Sequence, residues 1–442
     1  MKKFFIIILV SLFLLTLETL GLTAEKTPVT ITFIGGSWRV DRGGGEPGDF
    51  IKVRAIERFE KANPDIKVKV ETYPFNELFQ VLEVKFAAKS DTPDVFDLDV
   101  PLNASYAVRG YSLPLDEYFT KEELGKFYPA AVQAATWDGK LYSVPWENST
   151  QVMYYNKVLF RKAGIPAPLM DVKKRLTWER VVEIAKKIQD VTNKGKSTPE
   201  IWGLMFDQVS RLYQMQPLPE SLGGGSGVSP DGLKFTGYLN NEGWTKAMQF
   251  YYDLFNTWKI SPKGVTPAES PNLFASGKVA IFIGGTWNIP LFMESKNLEW
   301  GMAPHPYFDK GKVVTPTGSW HLGINSRSKN VEQAVRFIKF LTSDEIMRDW
   351  FKAIGQLVAN KVMVDVINKD PQYRKFPYTV YKNIALYELE NTAVPRPLTP
   401  MYLEMENIVN KAFEDVRNGA DPKDTLDRYA AMLDKMAEKY KK

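Results

Sequence analysis

Four tryptophans lie beside glycine, proline or serine at places where the sequence predicts the edge of a strand. They are Trp38, Trp146, Trp287 and Trp320. Because loops at strand ends commonly hold ligand groups, we expect these rings to face a crevice rather than a core. A flat indole face can stack on the apolar C–H face of a sugar ring, whose hydroxyl groups lie around its edge. The pattern therefore favours a site for a ligand rich in hydroxyl groups.

Charged side chains near these tryptophans could complete such a site. The candidates are Asp97, Asp99, Glu147 and Arg396. A carboxylate or a guanidinium fork can each hold two neighbouring hydroxyl groups. Arg396 stands between two prolines, which stiffen its backbone and leave its charge poorly placed for solvation. We expect these residues to supply the hydrogen bonds of the site.

Catalytic chemistry finds little support in the composition. The chain has 0 Cys and 2 His, which removes thiol nucleophiles, disulfides and most zinc motifs. His305 and His321 stand at no helical spacing from another candidate ligand, and G-x-S-x-G and H-E-x-x-H motifs are absent from the sequence. We predict no metal site and no cofactor. The paired carboxylates of a glycosidase leave no local motif, so that class of enzyme stays open.

Length and charge set the broad class of the protein. At 442 residues the chain is long for one core, since domains usually have about 100–200 residues, and we expect two or three packed units. Hydrophobic residues make up 44% and charged residues 25%, which is typical of globular proteins. The formal net charge of +5 comes from interspersed charges, which argues against nucleic acid as a partner.

The first residues are typical of an export signal. Lys2 and Lys3 precede an apolar stretch at 4–17, and Leu22-Thr-Ala24 provides a small residue for cleavage. The stretch is shorter than the roughly 18 apolar residues that span a bilayer. We predict a signal peptide over 1–24, cleaved near Ala24, with no cysteine for lipid attachment. The mature protein is therefore expected to be periplasmic or extracellular.

The elements that position the candidate residues alternate between strands and helices. Predicted strands at 29–34, 66–71 and 94–99 are separated by helical segments, an order that indicates a largely parallel sheet with helices on its faces. Ligands bind such sheets at the carboxyl ends of the strands. This places Asp99 and Trp38 together at the opening of the predicted ligand crevice.

The middle and end of the chain repeat this alternation. Apolar spacing predicts helices at 177–191, 242–258 and 331–342, and Asp421-Pro422 predicts another helix start. A buried strand at 279–283 ends in two glycines and leads to Trp287. The chain is therefore predicted to form two α/β units whose elements are shared across several crossings.

Several motifs in this order resemble the extracellular solute-binding proteins of sugar ABC importers. The motifs are Asp138-Gly-Lys-Leu-Tyr-Ser-Val-Pro145, Tyr154-Tyr-Asn-Lys157, Lys162-Ala-Gly-Ile-Pro166, Ser276-Gly-Lys-Val-Ala280, Gly285-Thr-Trp287, Gly323-Ile-Asn-Ser-Arg-Ser-Lys-Asn330 and Phe337-Ile-Lys-Phe-Leu-Thr342. The segments Asn391-Thr-Ala-Val-Pro-Arg-Pro397 and Pro400-Met-Tyr402 are especially similar to the trehalose/maltose-binding branch.

This resemblance implies a fold and partners. The fold would be the two-lobed, maltose-binding-like type II periplasmic-binding-protein fold with three hinge crossings. The N-lobe would hold 25–145 and 318–358, and the C-lobe would hold 146–317 and 359–442. A sugar would bind in the cleft between the lobes. The partners would be a membrane permease and its cytoplasmic ATPase, and the binding protein itself would be a monomer.

The resemblance also assigns roles to individual residues. Asp99 falls on a sugar-binding aspartate, Trp287 and Trp320 fall on stacking tryptophans, and Arg396 falls on a hydroxyl-binding arginine. Tyr402 belongs to the last motif and is a further candidate.

The chain departs from the trehalose/maltose branch at three places. Glu147 and Ser149 replace a tyrosine and an aspartate, and Leu78 or Phe79 stands where a second arginine is expected. These differences concern the identity of the sugar rather than its class.

The sequence thus predicts a non-enzymatic protein that closes around a di- or oligosaccharide, such as an α-glucoside. A secreted glycoside hydrolase or lyase is one alternative, because it would also have an aromatic and acidic cleft. A binding protein for a peptide or an acidic sugar is the other, because Arg396 could accept an anion.

Overall fold

The computed structural model describes residues 27–37, 54–318 and 320–441. The strands are β1 (Val29–Gly36), β2 (Ile66–Tyr73), β3 (Val95–Asp99), β4 (Thr136–Trp137), β5 (Lys140–Leu141), β6 (Val144–Pro145), β7 (Gln151–Asn156), β8 (Trp202–Phe206), β9 (Val279–Gly285), β10 (Trp300–Pro304), β11 (Thr315–Pro316), β12 (Trp320–Ile324) and β13 (Ala393–Val394). The α-helices are α1 (Ile56–Ala62), α2 (Phe75–Ala87), α3 (Asn103–Val108), α4 (Lys121–Leu124), α5 (Pro129–Ala134), α6 (Lys157–Lys162), α7 (Trp178–Thr192), α8 (Leu212–Met215), α9 (Pro217–Ser221), α10 (Glu242–Phe255), α11 (Ser270–Ala275), α12 (Ile289–Glu294), α13 (Val331–Leu341), α14 (Asp344–Ile354), α15 (Val362–Lys369), α16 (Leu386–Asn391), α17 (Tyr402–Arg417) and α18 (Pro422–Ala437).

Two sheets form the centres of the two lobes. The first has the strand order β2-β1-β3-β12-β6, in which β1 is parallel to β2 and β3, and β12 is antiparallel to β3 and β6. The second has the order β10-β7-β9-β8, in which β8 and β9 are parallel and β7 is antiparallel to both its neighbours. The predicted parallel β-α-β-α-β start is confirmed in the first sheet.

The chain crosses between the sheets three times. It passes from the first to the second between β6 and β7, and returns between β10 and β12. It crosses again after α13, which packs on β1 and β12, to reach α17, which packs on α10. Because β12 lies between β3 and β6, the first sheet combines strands from the beginning of the chain with one from its later part.

The helices predicted from apolar spacing are confirmed with small shifts of their ends. Thr177 caps α7, since its hydroxyl group accepts a hydrogen bond from the backbone N–H of Arg180. Asp421 caps α18 in the same way, with Pro422 in its first turn. The helix predicted over 242–258 ends at Phe255. The backbone N–H of the capping residue, Asn256, donates to the carbonyl oxygen of Tyr252.

The buried apolar residues that the structure describes form separate clusters, and the largest of these spans both lobes. One cluster joins Phe33 and Phe337 of the first lobe to Tyr154 and Trp300 of the second. The segment after α14 contributes to the same cluster, with the Tyr373 ring stacked on that of Phe351 at 5.2 Å. The residue boundaries predicted for the lobes stay predictions.

The predicted signal peptide, 1–24, lies outside the described residues. In the ranges that the structure does describe, no helix has the length and apolar character needed to cross a membrane.

Candidate functional site

The first wall of the site comes from two neighbouring strands of the first sheet. Asp99 is the last residue of β3 and Trp320 the first residue of β12, and the two are paired in the antiparallel register. Both side chains therefore lie at the same end of the strands of this sheet. The Trp320 indole stacks on the ring of Phe79 from α2, with ring centroids 6.0 Å apart and an interplanar angle of 14°. An aromatic surface and a carboxylate thus stand side by side.

The chain that crosses after β6 forms the base of the site. The backbone N–H of Glu147 donates to the carbonyl oxygen of Trp320 at 2.9 Å, and the Glu147 carboxylate accepts from Trp350 Nε1 at 3.0 Å. Ser149 Oγ lies 2.8 Å from the Tyr213 hydroxyl group and accepts from the backbone N–H of Gly318 at 3.0 Å. Two of the crossings therefore meet at the base.

The second wall carries Trp287, which follows the end of β9. A Cβ atom on Gly285 would come within 1.9 Å of the Trp287 ring, so the ring can lie over the strand end only because this residue is glycine. The indole Nε1 donates to Asp207 at 3.2 Å, and the ring lies 6.0 Å from that of Tyr213. Gly285 is therefore a steric requirement of the position of Trp287.

Charged groups of opposite sign link the two walls. Both terminal nitrogens of Arg396 donate to the Asp99 carboxylate, one of them at 3.1 Å. Arg211 lies 3.7 Å from the same carboxylate and donates to Glu406 at 3.1 Å. The Arg396 guanidinium group also lies over the ring of Tyr213 at 5.1 Å. Asp99 and Arg396 are 6% and 4% exposed, so this contact between lobes is largely shielded from water.

Electrostatics keep the two guanidinium groups of this cluster ionised. Burial is the largest single influence and would lower the pKa of Arg396, but the charge and hydrogen bond of Asp99, together with Tyr402 and Glu406, outweigh it and hold the pKa above its usual value. The pKa of Arg211 is raised in the same way, with burial opposed by the charges of Glu406 and Asp99. Both guanidinium groups are therefore cationic donors at any physiological pH.

These groups surround a cavity of about 330 Å³ between the lobes. Its lining residues are Asp99, Glu147, Asn148, Ser149, Gln208, Arg211, Tyr213, Trp287, Gly318, Trp320, Gln356 and Arg396. A second cavity of about 500 Å³ adjoins it through Asp99, Gln208 and Arg211, and extends along α17. The combined space has aromatic faces and charged or amide groups on both sides.

Comparison with known proteins identifies the family. Residues 44–348 match the family model of bacterial extracellular solute-binding proteins, which is more than half of the chain. The chain belongs to this family. The resemblance inferred from the sequence motifs is therefore confirmed.

This solute-binding protein is similar to curated relatives over most of their length. The galactooligosaccharide-binding protein of Bacillus subtilis (strain 168) is 27% identical over 387 residues, which cover 85% of this chain and 84% of that protein. The arabinooligosaccharide-binding protein of the same organism is 25% identical over 459 residues, which cover 98% and 99% of the two chains.

Solved structures share the two-lobed fold. Maltose-bound T. maritima MalE3 has a TM-score of 0.73 and 26% identity, and the match covers 92% of this chain and 100% of that one. An ABC substrate-binding protein from Listeria monocytogenes in complex with cycloalternan has a TM-score of 0.75 at 24% identity, over 92% and 99% of the chains. The predicted fold class is confirmed.

Most of the predicted site residues of the solute-binding protein line the central cavity. They are Asp99, Glu147, Ser149, Trp287, Trp320 and Arg396. Tyr402 instead lines the adjoining cavity, with its hydroxyl group 3.2 Å from Glu406. The predicted residue Trp38 lies outside the described residues.

Two predicted residues occupy other places than expected. The Trp146 ring is fully buried, 4.5 Å from the ring of Trp350 and 6.3 Å from that of Phe33, because the side chain points into the core of the first lobe. Asp97 is also fully buried and accepts the backbone N–H of Gly36 at 2.8 Å. It lies one pleat deeper in β3 than Asp99, and it holds the end of β1 rather than lining the cavity.

The cavity also contains residues that sequence reasoning did not single out. Gln208 has a positive φ of 51° and lines both cavities. Arg211 and Tyr213 follow on the same segment. Positive φ in a residue other than glycine is rare and is concentrated at functional sites. The one signal in the sequence was the position of this segment directly after a buried strand, β8.

Proposed function

We propose that this chain is the extracytoplasmic substrate-binding protein of an ABC sugar importer, and that it binds a di- or oligosaccharide between its lobes. The observation that carries the proposal is that Trp287 and Trp320, from different lobes, line one cavity. The two indoles would stack on sugar rings. Asp99, Glu147 and Arg396 would bind the hydroxyl groups around the ring edges.

The charges of the site favour a neutral ligand. The carboxylates of Asp99 and Glu406 oppose the guanidinium groups of Arg211 and Arg396 within salt-bridge distance. An acidic sugar would have to compete with these carboxylates for the two arginines. A neutral sugar can accept from the arginines and donate to the carboxylates without disturbing the charge balance. This argues against the acidic-sugar alternative.

The relatives support the class of ligand. Two of them are named as binding galactooligosaccharides and arabinooligosaccharides, and a solved relative contains maltose. Because these sugars differ, the comparison supports a carbohydrate rather than one particular sugar. The adjoining cavity along α17 favours a ligand longer than a monosaccharide.

Binding would proceed by closure of the lobes. A ligand favours the closed form only if it contacts both lobes, and the cavity offers Trp320 from one lobe and Trp287 from the other. The closed form would then dock on a membrane permease whose cytoplasmic ATPase drives import. We propose that the binding protein acts as a monomer.

Export is part of the same proposal. The family is extracellular, and the first 24 residues have the pattern of a cleavable signal peptide. The mature protein would therefore work outside the cytoplasmic membrane.

A thermal-shift screen tests the proposal. The panel would contain maltose, trehalose, maltotriose, galactotriose and arabinotriose, with galacturonate and a tripeptide as representatives of the alternatives. We expect at least one neutral sugar to raise the unfolding temperature, because a ligand that binds the native state stabilises it by mass action. Isothermal calorimetry on the hit would give the affinity. A response confined to galacturonate or the tripeptide would overturn the proposal.

The sugar identified in this screen can also be used to distinguish binding from catalysis. We propose that the protein is not an enzyme. After long incubation with a stoichiometric amount of protein, chromatography should therefore recover the sugar intact. Shorter or unsaturated products would instead indicate a hydrolase or a lyase.

A further inference from the structure

A buried carboxylate lies directly behind the tryptophan of the second wall. Asp207 follows the last residue of β8, and its side chain is 2% exposed. Its Oδ2 accepts from Trp287 Nε1 at 3.2 Å and from Asn288 Nδ2 at 2.8 Å. Its Oδ1 accepts from the Ser270 hydroxyl group at 3.3 Å. Two segments distant from Asp207 in sequence, α11 and the turn after β9, thus converge on its side chain.

The groups that face Asp207 carry no charge. Ser270 belongs to α11, and Trp287 and Asn288 belong to the turn after β9. The titratable neighbour from β7 is Tyr154, whose pKa is raised by burial and secondarily by Tyr381 and Asp207, so its hydroxyl group stays neutral. Within the described ranges, no lysine, arginine or histidine forms a salt bridge with Asp207.

Arg211 is the nearest cation along the same loop, and it is committed elsewhere. It contacts Glu406 and Asp99 instead. Burial, the largest influence, therefore raises the pKa of Asp207 to about 6, although its hydrogen bonds favour the charged form. A carboxylate buried without a cation is unfavourable, and groups with such perturbed pKa values are concentrated at functional sites.

Trp287 hydrogen-bonds to Asp207 and also lines the cavity. Its ring lies over Gly285, where a Cβ atom would collide with it, and beside the ring of Tyr213. These contacts are apolar and therefore non-directional, so they set the rotation of the indole less sharply than a hydrogen bond does. The hydrogen bond from Nε1 to Asp207 fixes that rotation. An ionised acceptor makes a stronger hydrogen bond than a neutral one.

We propose that Asp207 is a positioning residue for ligand binding: its ionised carboxylate holds the Trp287 indole in the orientation that stacks on the ligand, and loss of the charge weakens binding. The inference rests on the function proposed above. A ring already held in its bound orientation loses less freedom when the ligand arrives. Asp207 would thus act without touching the ligand.

Ligand affinity should therefore fall as the pH falls through about 6. We expect the dissociation constant of the best panel sugar to rise roughly fivefold between pH 7.5 and pH 5, the difference between a charged and a neutral acceptor. The two histidines of the folded protein do not titrate between pH 7.5 and pH 5, because burial lowers the pKa of both His305 and His321 to about 3.

Calorimetry on three single variants and one double variant tests this role. Asp207→Asn keeps the shape of the side chain without the charge, so we expect it to bind at pH 7.5 as weakly as wild type does at pH 5, and with little change between these pH values. Asp207→Ala should bind at least tenfold more weakly than wild type at pH 7.5. In a Trp287→Phe background, which lacks the indole N–H, adding Asp207→Ala should have little further effect.

Asp94→Asn is the matched control. Asp94 is also buried and accepts from the backbone N–H of Thr32 at 2.7 Å and from Asn330 at 3.1 Å, but it does not line the cavity. This variant should retain both the affinity and its pH dependence. If it lost them to the same extent as Asp207→Asn, the effect would be a general consequence of disturbing a buried aspartate, and the inference would be wrong.

A readout without ligand separates this inference from the proposed function. The indole N–H resonance of Trp287, assigned by its absence in Trp287→Phe, should titrate with a midpoint near pH 6 in wild type and stay constant in Asp207→Asn. A constant resonance in wild type overturns the inference whether or not sugars bind. A titrating resonance in a protein that binds no panel sugar supports the positioning of Trp287 and overturns the proposed function alone.

Discussion

The two walls of the cavity are built in different ways. Asp99 and Trp320 on the first wall are paired neighbours in one sheet, so backbone hydrogen bonds set the distance between them. Trp287 and Arg396 on the second wall come from distant segments and are held by side-chain contacts with Asp207 and Asp99. A wall held by side chains depends on each of them. We therefore expect substitutions in the second wall to weaken binding more than those in the first.

Replacing Arg396 by methionine should cause the largest loss. Methionine fills much of the buried space but removes the charge that opposes Asp99, leaving Arg211 at 3.7 Å as the remaining cation. Truncating one partner of a buried charge pair costs about 2–5 kcal/mol of binding free energy. We expect calorimetry with the best panel sugar to show affinity lower by roughly 30- to 5,000-fold.

Arg175→Met is the control for Arg396→Met. Arg175 also forms a buried ion pair, with Glu388 at 2.6 Å, but it does not line the cavity. This variant should unfold at a lower temperature and bind sugar as wild type does. An Arg396→Met protein with unchanged affinity would contradict the place of Arg396 in the second wall.

Trp287→Ala should have the next largest effect. We expect it to weaken binding by about 1–3 kcal/mol through lost apolar contact. Trp320→Ala should lose less, because the ring of Phe79, stacked on Trp320, remains on the first wall. Both values come from calorimetry.

Trp258→Ala is the matched control for the two tryptophans. Trp258 is also partly exposed and packs on Phe250 at 5.6 Å, away from the cavity. It should bind with unchanged affinity. Equal losses in the Trp287 and Trp320 variants would mean that the two walls do not differ in how strongly binding depends on a single side chain.

Much of the first wall could be predicted from the sequence, because it depends on where strands end. Asp99 and Trp320 lie at strand ends, and a hydrophobic pattern marks those. The same rule found Trp287 through the strand and the two glycines before it. It was wrong for Trp146, because a position at a strand edge does not determine which way a ring points when Trp350 provides a partner in the core.

Much of the second wall could not be predicted. Gln208 and Arg211 belong to the irregular segment after β8, and Tyr213 to the short helix α8 that follows it. Their places depend on contacts with α17 and with the base of the cavity. In the sequence, nothing distinguishes Asp207 from other acidic residues that follow a strand, because its partners Trp287 and Asn288 are distant along the chain. Contacts between segments so far apart leave no periodicity in the sequence.

Each wall also has a different buried titratable group behind it. The contributions of these two groups to folding stability should change in opposite directions as the pH falls. His321, next to Trp320, has its pKa lowered by burial to about 3. The unfolded chain takes up this proton near pH 6.5, so the stability due to His321 is lost as the pH falls from about 6.5 towards 3. For Asp207 the folded pKa is about 6, above the ordinary value of 3.8, so its contribution to stability rises as the pH falls from about 6 to 4.

Denaturant unfolding at pH 7.5 and pH 5 measures both contributions. Relative to His321→Gln, wild type should lose roughly 2 kcal/mol of unfolding free energy over this interval. Relative to Asp207→Asn, it should gain roughly 1 kcal/mol. His305 is present in all three proteins and cancels. Differences of the same sign for the two variants would show that these groups are not buried as described.

Replacing Gln208 by glycine should have the smallest effect on stability. The left-handed conformation of Gln208, φ 51°, costs a residue with a side chain about 1–2 kcal/mol. Glycine adopts it freely but costs about 0.5–1 kcal/mol through the greater freedom of the unfolded chain. We expect Gln208→Gly to raise the unfolding free energy by up to about 1 kcal/mol and to weaken sugar binding, because its amide group leaves the cavity.

Lys259→Gly separates these two effects. Lys259 has nearly the same conformation, φ 52°, at an exposed position away from the cavity. It should gain similar stability in denaturant unfolding and keep full affinity in calorimetry. If Gln208→Gly also kept full affinity, the strained conformation would serve the fold of the loop alone. Weaker binding together with higher stability would mean that the second wall holds Gln208 in a costly conformation for the sake of the ligand.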